Sequence, residues 1–191
     1  NNAGGAGAFS AGWLCSASGN YSVALGYASK AMTQCDHALG NTNTASGGSS
    51  TAIGASNDAT QSYAVAMGYD NESSGSAATA IGQANTASGN RAVALGYNNT
   101  SSNTCSTAIG MSNSASNEAA VAIGGACQST ANGSVALGKL CKAEGNGAFA
   151  AGDGCQAGSH GAVAMGHDCS TNAAYQVALG DGAHTSDTYP F

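Results

Sequence analysis

The sequence predicts an all-β fold, a parallel β-solenoid of fourteen-residue coils with two short strands per coil. Three observations carry that prediction. A glycine recurs at every fourteenth residue from Gly12 to Gly180 without a slip, and Gly26, Gly54, Gly82, Gly110, Gly138 and Gly166 are among them. Most of these glycines close the same short apolar string, as in Ser22-Val23-Ala24-Leu25 and Ser134-Val135-Ala136-Leu137. A fixed short period without insertions is how stacked coils read in a sequence. Finally, the apolar residues fall at i and i+2, not at i, i+3 and i+4, and glycine and β-branched residues recur in every unit, which argues against a helical repeat.

Within one coil, counted from its glycine as position 0, the first strand covers positions 10 to 13. Position 11 holds Val23, Val65, Thr79, Val93 and Val135, and position 13 holds Leu25, Ile53, Ile81, Leu95 and Leu137. Position 12 is alanine in every coil from Ala24 to Ala178, and position 10 is mostly serine or alanine. Because side chains alternate, the strand has one bulky face and one small face. The glycine is then expected to turn the chain, where a left-handed backbone carries no Cβ strain.

The second strand is small at position 5 (Ala17, Ala31, Ala45) and polar at positions 4 and 6 (Lys30, Asp58, Ser18, Ser46). That alternation reads as a small inner face and a wet outer face. Parallel coils spaced by about 4.8 Å would carry the thirteen repeats over about 60 Å. The unbroken period predicts one solenoid over 1–191. Asn1 and Phe191 both fall inside a coil, at positions 3 and 11, and neither end shows a polar cap. The expectation is therefore a segment of a longer fibre or adhesin.

Composition excludes several functions. Charged residues are 7% of the chain, the net charge is −6, and the four cations Lys30, Arg91, Lys139 and Lys142 do not cluster. A phosphate backbone or an anionic membrane surface needs clustered cations, so neither is an expected partner. No apolar run is long enough to insert this segment into a bilayer. No long loops are available to build a cleft, and no nucleophile, base and orienting group recur together, so neither an enzyme nor a cofactor is expected. Cys35-Asp36-His37 reads as a substitution within one coil.

The first strand is apolar or small on both faces, the pattern of a strand buried on both sides. A coil covers only one of them, and the other would form a long dry strip. A side-by-side parallel homotrimer would cover it, with the polar strand outward. Which face lines the coil interior is left open by the sequence.

Three columns of residues are candidates for a role. Asn43, Asn57, Asn71, Asn85, Asn99 and Asn113 share position 3, and a hydrogen-bonded structural ladder is expected of them. Cys127, Cys141, Cys155 and Cys169 extend that column. Coil spacing puts their Cα atoms within disulfide range, while stacked side chains point in parallel and favour free thiols; both readings stand. His160 and His167 near Cys155 and Cys169 match no zinc spacing, so no metal site is expected. Tyr27, Tyr69 and Tyr97 at position 1 are candidate ligand-facing residues, with packing against a neighbouring coil or subunit as the other reading. Tyr21, Tyr63, Tyr175 and Tyr189 at position 9 share those two readings. Asn20, Asn71, Asn98, Asn99 and Asn132 match the glycosylation sequon.

The string Ser22-Val23-Ala24-Leu25-Gly26, repeated as Ser134-Val135-Ala136-Leu137-Gly138, together with Ala17-Ser18-Gly19 and Ala87-Ser88-Gly89, resembles the head repeats of YadA-like trimeric autotransporter adhesins. The resemblance covers essentially the whole chain. It implies a left-handed parallel β-roll, three of which associate into a rigid head on a cell or virion surface. It also implies an extracellular location and a host-surface protein or glycan as ligand. Seven cysteines depart from bacterial passengers that cross an outer membrane unfolded, which keeps a viral or phage fibre as a second source. The alternative function is an ice-binding solenoid, which needs a uniform outward threonine column. Here Thr51, Thr79 and Thr107 are interleaved with valine.

Overall fold

A computed structural model describes residues 1–185 and contains only strands, turns and bends among them. The chain is a parallel β-solenoid of about thirteen fourteen-residue coils and divides into two compact units, Asn1–Tyr97 and Asn98 onward. In the first unit, five-residue strands from Phe9–Trp13 to Val93–Tyr97 form one parallel sheet, and two-residue strands from Asn2–Ala3 to Thr86–Ala87 form another. The second unit repeats the arrangement, from Thr107–Met111 to Val177–Asp181 and from Thr100–Ser101 to His184–Thr185. Pairing is in register at fourteen residues: Val65, Ala66, Met67 and Gly68 lie beside Thr79, Ala80, Ile81 and Gly82. In the second unit Ala122 lies beside Ala136 and Gly124 beside Gly138.

The core settles which face points inward. Ala24, Ala66, Ala94, Ala136 and Ala164 at position 12 are fully buried, as are Ala17, Ala45, Ala87, Ala115 and Ala157 at position 5. Two strands per fourteen residues make a coil so thin that small side chains fill its interior, mostly alanine, serine, asparagine and cysteine, with Asp36, Thr171 and Gln176 as larger exceptions. The bulky residues at positions 11 and 13 therefore stand outside: Ile81 is 39% exposed and Leu179 61%. Large apolar side chains that would form the core of an ordinary domain here form its surface.

The glycine column is a correction to the sequence reading. Gly26, Gly54, Gly82, Gly110, Gly138 and Gly166 were expected to make turns, and each lies inside a five-residue strand instead. Their φ values run from 111° to 128°. A Cβ on Gly68 would stand 2.1 Å from the carbonyl oxygen of Gly82, and one on Gly138 2.1 Å from that of Gly152. Glycine is required because the next coil's backbone occupies the place of a side chain.

The left-handed turn residues sit two positions after that glycine and again at position 9. They include Ala28, Ser56, Asp70 and Asn98 in the first column, and Tyr21, Cys35, Arg91 and Cys105 in the second, all with φ between 54° and 57° except Ala28 at 50°. Each non-glycine residue in that conformation is disfavoured by about 1–2 kcal/mol. Stacking offsets the cost through a hydrogen bond to the preceding coil, as from Ala28 N to Trp13 O at 2.8 Å and from Cys35 N to Asn20 O at 2.9 Å.

Candidate functional site

The outer face of the five-residue strands is a candidate surface in each unit, with bulky apolar side chains standing partly exposed along it. In Val23–Tyr27, residues 23, 25 and 27 alternate onto one side while Ala24 turns inward. Tyr27, Tyr69 and Tyr97 thus share a face with the valine and leucine rows and stand about half exposed at its margin. Trp13 takes the same place in the first coil and is more exposed still. In the second unit the equivalent position holds Met111, Lys139, Asp153, His167 and Asp181. There Lys139 Nζ lies 3.3 Å from Asp153, and His167 Nδ1 donates to Asp181 at 2.8 Å. The hydrogen bond to Asp181, then the negative charges of Asp168 and Asp181, hold the His167 pKa above its ordinary value. Sequence reasoning missed this charged row, because its members differ from coil to coil and only the register aligns them.

Tyr21, Tyr63 and Tyr175 occupy left-handed turns. The Tyr21 ring covers Gly7 and the Tyr175 ring covers Gly161, where a Cβ would meet ring carbons at 2.9 Å and 2.8 Å. Tyr175 also meets His160 edge-on, with ring centroids 5.2 Å apart. Tyr21 and Tyr175 therefore pack on the preceding coil. Tyr189 lies outside the described residues.

The corner at position 3 carries the ladder. Asn57 donates from Nδ2 to Asn43 Oδ1 at 3.1 Å and to Gly68 O at 2.8 Å, while Asn43 Oδ1 also accepts from Asn57 N at 3.0 Å. Asn71 repeats this toward Asn57 and Gly82, and Asn85 toward Asn71 and Gly96. In the second unit Asn113 binds Asn99 Oδ1 at 2.9 Å and Gly124 O at 2.8 Å. Each amide thereby satisfies the carbonyl of the strand glycine in the next coil.

Cysteine takes over that donor role. Cys141 Sγ reaches Gly152 O at 3.3 Å, Cys155 Sγ reaches Gly166 O at 3.3 Å, and Cys169 Sγ reaches Gly180 O at 3.1 Å. All seven cysteines are free thiols, and the four stacked ones are buried. Burial pushes the Cys141 and Cys155 pKa values up. His160 and His167 are exposed while Cys155 and Cys169 face the interior, so the structure does not bring these histidines and thiols together.

Asp36 is a functional oddity that the sequence shows without explaining. It fills an interior position held by serine or alanine in most other coils and by Gln176 in one, and is fully buried. Its carboxylate accepts from Thr33 N at 2.8 Å and Thr33 Oγ1, from Gly48 N and Ser50 N at 3.0 Å, and from Ser50 Oγ at 2.8 Å. Burial raises its pKa, but the hydrogen bonds from Thr33 and Ser50 outweigh that and hold it below the usual carboxylate value. Neighbouring His37 faces outward, so this coil does not assemble a base and a nucleophile. Of the sequon residues, Asn71 and Asn99 are buried in the ladder, while Asn20, Asn98 and Asn132 are exposed.

Comparison with known families follows the same coils. The family model for the YadA head domain repeat, which spans two copies of the repeat, matches residues 16–31, 38–57, 45–71, 73–99 and 115–140, together more than half of the chain. No curated protein matches the chain at a significant level.

Proposed function

The chain belongs to the YadA head-repeat family, and from that premise we propose that it forms the adhesive head of a surface-exposed fibre, built from three copies of itself. Head repeats of this family are structural parts of surface adhesins, which supports an extracellular, surface-exposed location. The outward apolar face carries the trimer reading. Rows such as Val65, Met67, Ile81 and Val93 stand partly exposed along one side of a sheet whose other side is already filled by alanine. A monomer seldom leaves so continuous a strip in water, and burying each Leu, Ile or Met fully contributes about 1.5–3 kcal/mol. Identical chains in identical register offer matching strips, which favours closed symmetry.

The tyrosines at the margin of the strip, Tyr27, Tyr69 and Tyr97, are proposed to contact the ligand, a host-surface protein or glycan. Rigid amphipathic rings on a flat surface suit both. Ice binding draws less support, since Thr51, Thr79 and Thr107 alternate with Val65 and Val93 and form no unbroken row.

Light scattering tests the assembly. A molar mass about three times 18.2 kDa is expected, and Ile81→Asp should lower it while leaving the circular dichroism of the strands in place. A monomer at micromolar concentration would remove the proposal. Replacing the three tyrosines with serine should keep the mass and abolish capture by immobilised host-surface proteins or glycans. A loss of mass would instead assign those rings to the subunit interface.

A further inference from the structure

In the second unit Cys127, Cys141, Cys155 and Cys169 occupy the same position in four consecutive coils, all buried and all unoxidised. In-register parallel strands hold equivalent atoms about 4.8 Å apart. That is wide for a disulfide, whose Cβ atoms approach to about 3.5–4.5 Å. The spacing has a different match. A zinc–thiolate bond is about 2.3 Å long, so an ion of comparable bond length midway between two stacked sulfurs spans about 4.6 Å. The thiols also share one orientation, since Cys141, Cys155 and Cys169 each point Sγ at the strand-glycine carbonyl of the next coil.

We propose that this thiol column is a binding site for soft, linearly two-coordinate d10 cations, the class of mercury(II), silver(I) and copper(I), with one ion between Cys127 and Cys141 and one between Cys155 and Cys169. Soft sulfur ligands select such ions over hard, oxygen-seeking ones. Among the described residues no three His, Cys, Asp or Glu side chains gather as a chelate, so the corner supplies two ligands per ion and cannot close a tetrahedral zinc shell. Each binding event breaks two S–H bonds, forms two metal–sulfur bonds and releases two protons to water. With a divalent ion the bis-thiolate is neutral, which suits an interior of alanine and backbone; a monovalent ion leaves one negative charge there and binds more weakly. Because binding exchanges thiol protons for the ion, uptake strengthens as pH rises. Cys15 offers a contrast within the same chain, since its neighbours in the column are Asn1 and Ser29 and it has no stacked sulfur partner.

The test uses the full chain carrying Cys15→Ser, Cys35→Ser and Cys105→Ser, titrated with mercury(II) and read by native mass spectrometry and by the ultraviolet sulfur-to-metal charge-transfer band. Two ions per chain are expected, with about four protons released. Cys155→Ser should remove one ion of the two, and Cys169→Ala serves in its place if the serine variant does not fold. Two ions retained in the variant that folds would overturn the proposal. So would mercury uptake only after the chain is unfolded in guanidinium.

Discussion

The position 3 corner of the first unit and that of the second solve one problem with different chemistry. Asn57, Asn71 and Asn85 each donate to the amide of the preceding coil and to a strand-glycine carbonyl, and Asn57 and Asn71 accept from the coil that follows, so within the first unit the amides form a continuous chain. Cys141, Cys155 and Cys169 donate to the same glycine carbonyls through longer, weaker S–H contacts. The comparison separates shape from polarity. What these coils share is a small, buried side chain that gives the strand glycine's carbonyl a donor, while Cys15 and Cys127 fill the corner with their thiols toward Trp13 O and Gly125 O instead. A strong amide ladder is one way to supply it.

The largest expected effect tests what both units share. Gly68→Ala and Gly138→Ala each drive a Cβ into the next coil's carbonyl oxygen at 2.1 Å, on a backbone that side chains already avoid. Each should cost more than about 4 kcal/mol in thermal or denaturant unfolding, the range reserved for backbone clash and strain. If one unit tolerated the change, the two stacks would not be equivalent at that corner.

A smaller effect distinguishes them. Asn71→Ala removes the donor to the Gly82 carbonyl and the acceptor of the Asn85 backbone N–H, and losing both buried bonds costs about 3 kcal/mol together. Cys141→Ala removes one weak donor and one sulfur from an otherwise apolar corner, and about 1 kcal/mol is expected. Equal losses in a urea melt would mean that the ladder's hydrogen bonds contribute little and that only volume matters.

The same comparison shows what could be read without coordinates. Columns were legible, because a strict period aligns Asn43 with Asn57 whatever the fold's details, and so was the apolar strand. Orientation was not. Val23 and Ala24 are both apolar, and the usual rule that bulky residues go inside is reversed by a coil too thin to hold them. The glycines were misread for a related reason: a turn and a close backbone approach both demand glycine, and only the neighbouring coil's position tells them apart. The true left-handed residues, such as Tyr21, Cys35 and Arg91, carry no turn signal at all. Their backbone is dictated by bonds to the preceding coil, which local propensity does not record. Asp36 stood out as a break in its column, but its five donors come partly from Gly48 and Ser50 in the next coil.

The smallest expected effects concern pH, and the two units should respond with opposite sign. Asp36 in the first unit has a folded pKa held below that of the unfolded chain. Its contribution is complete above about pH 3.9, the ordinary carboxylate value, and is lost as pH falls through the depressed folded value, where the unfolded chain has already taken up the proton. His167 in the second unit has a raised folded pKa. Its contribution is complete below about pH 6.5 and is lost as pH rises through the raised value. Because His167 is exposed, the change is expected in its own titration more than in global stability. Carbon-bound proton shifts in nuclear magnetic resonance should place its midpoint above that of a free histidine, and Asp181→Asn should lower it. Asp36→Asn should flatten the acid limb of the melting curve and leave that midpoint alone. A His167 midpoint unmoved by Asp181→Asn would show that the 2.8 Å contact does not hold the ring, and would leave Asp168 as its remaining close carboxylate.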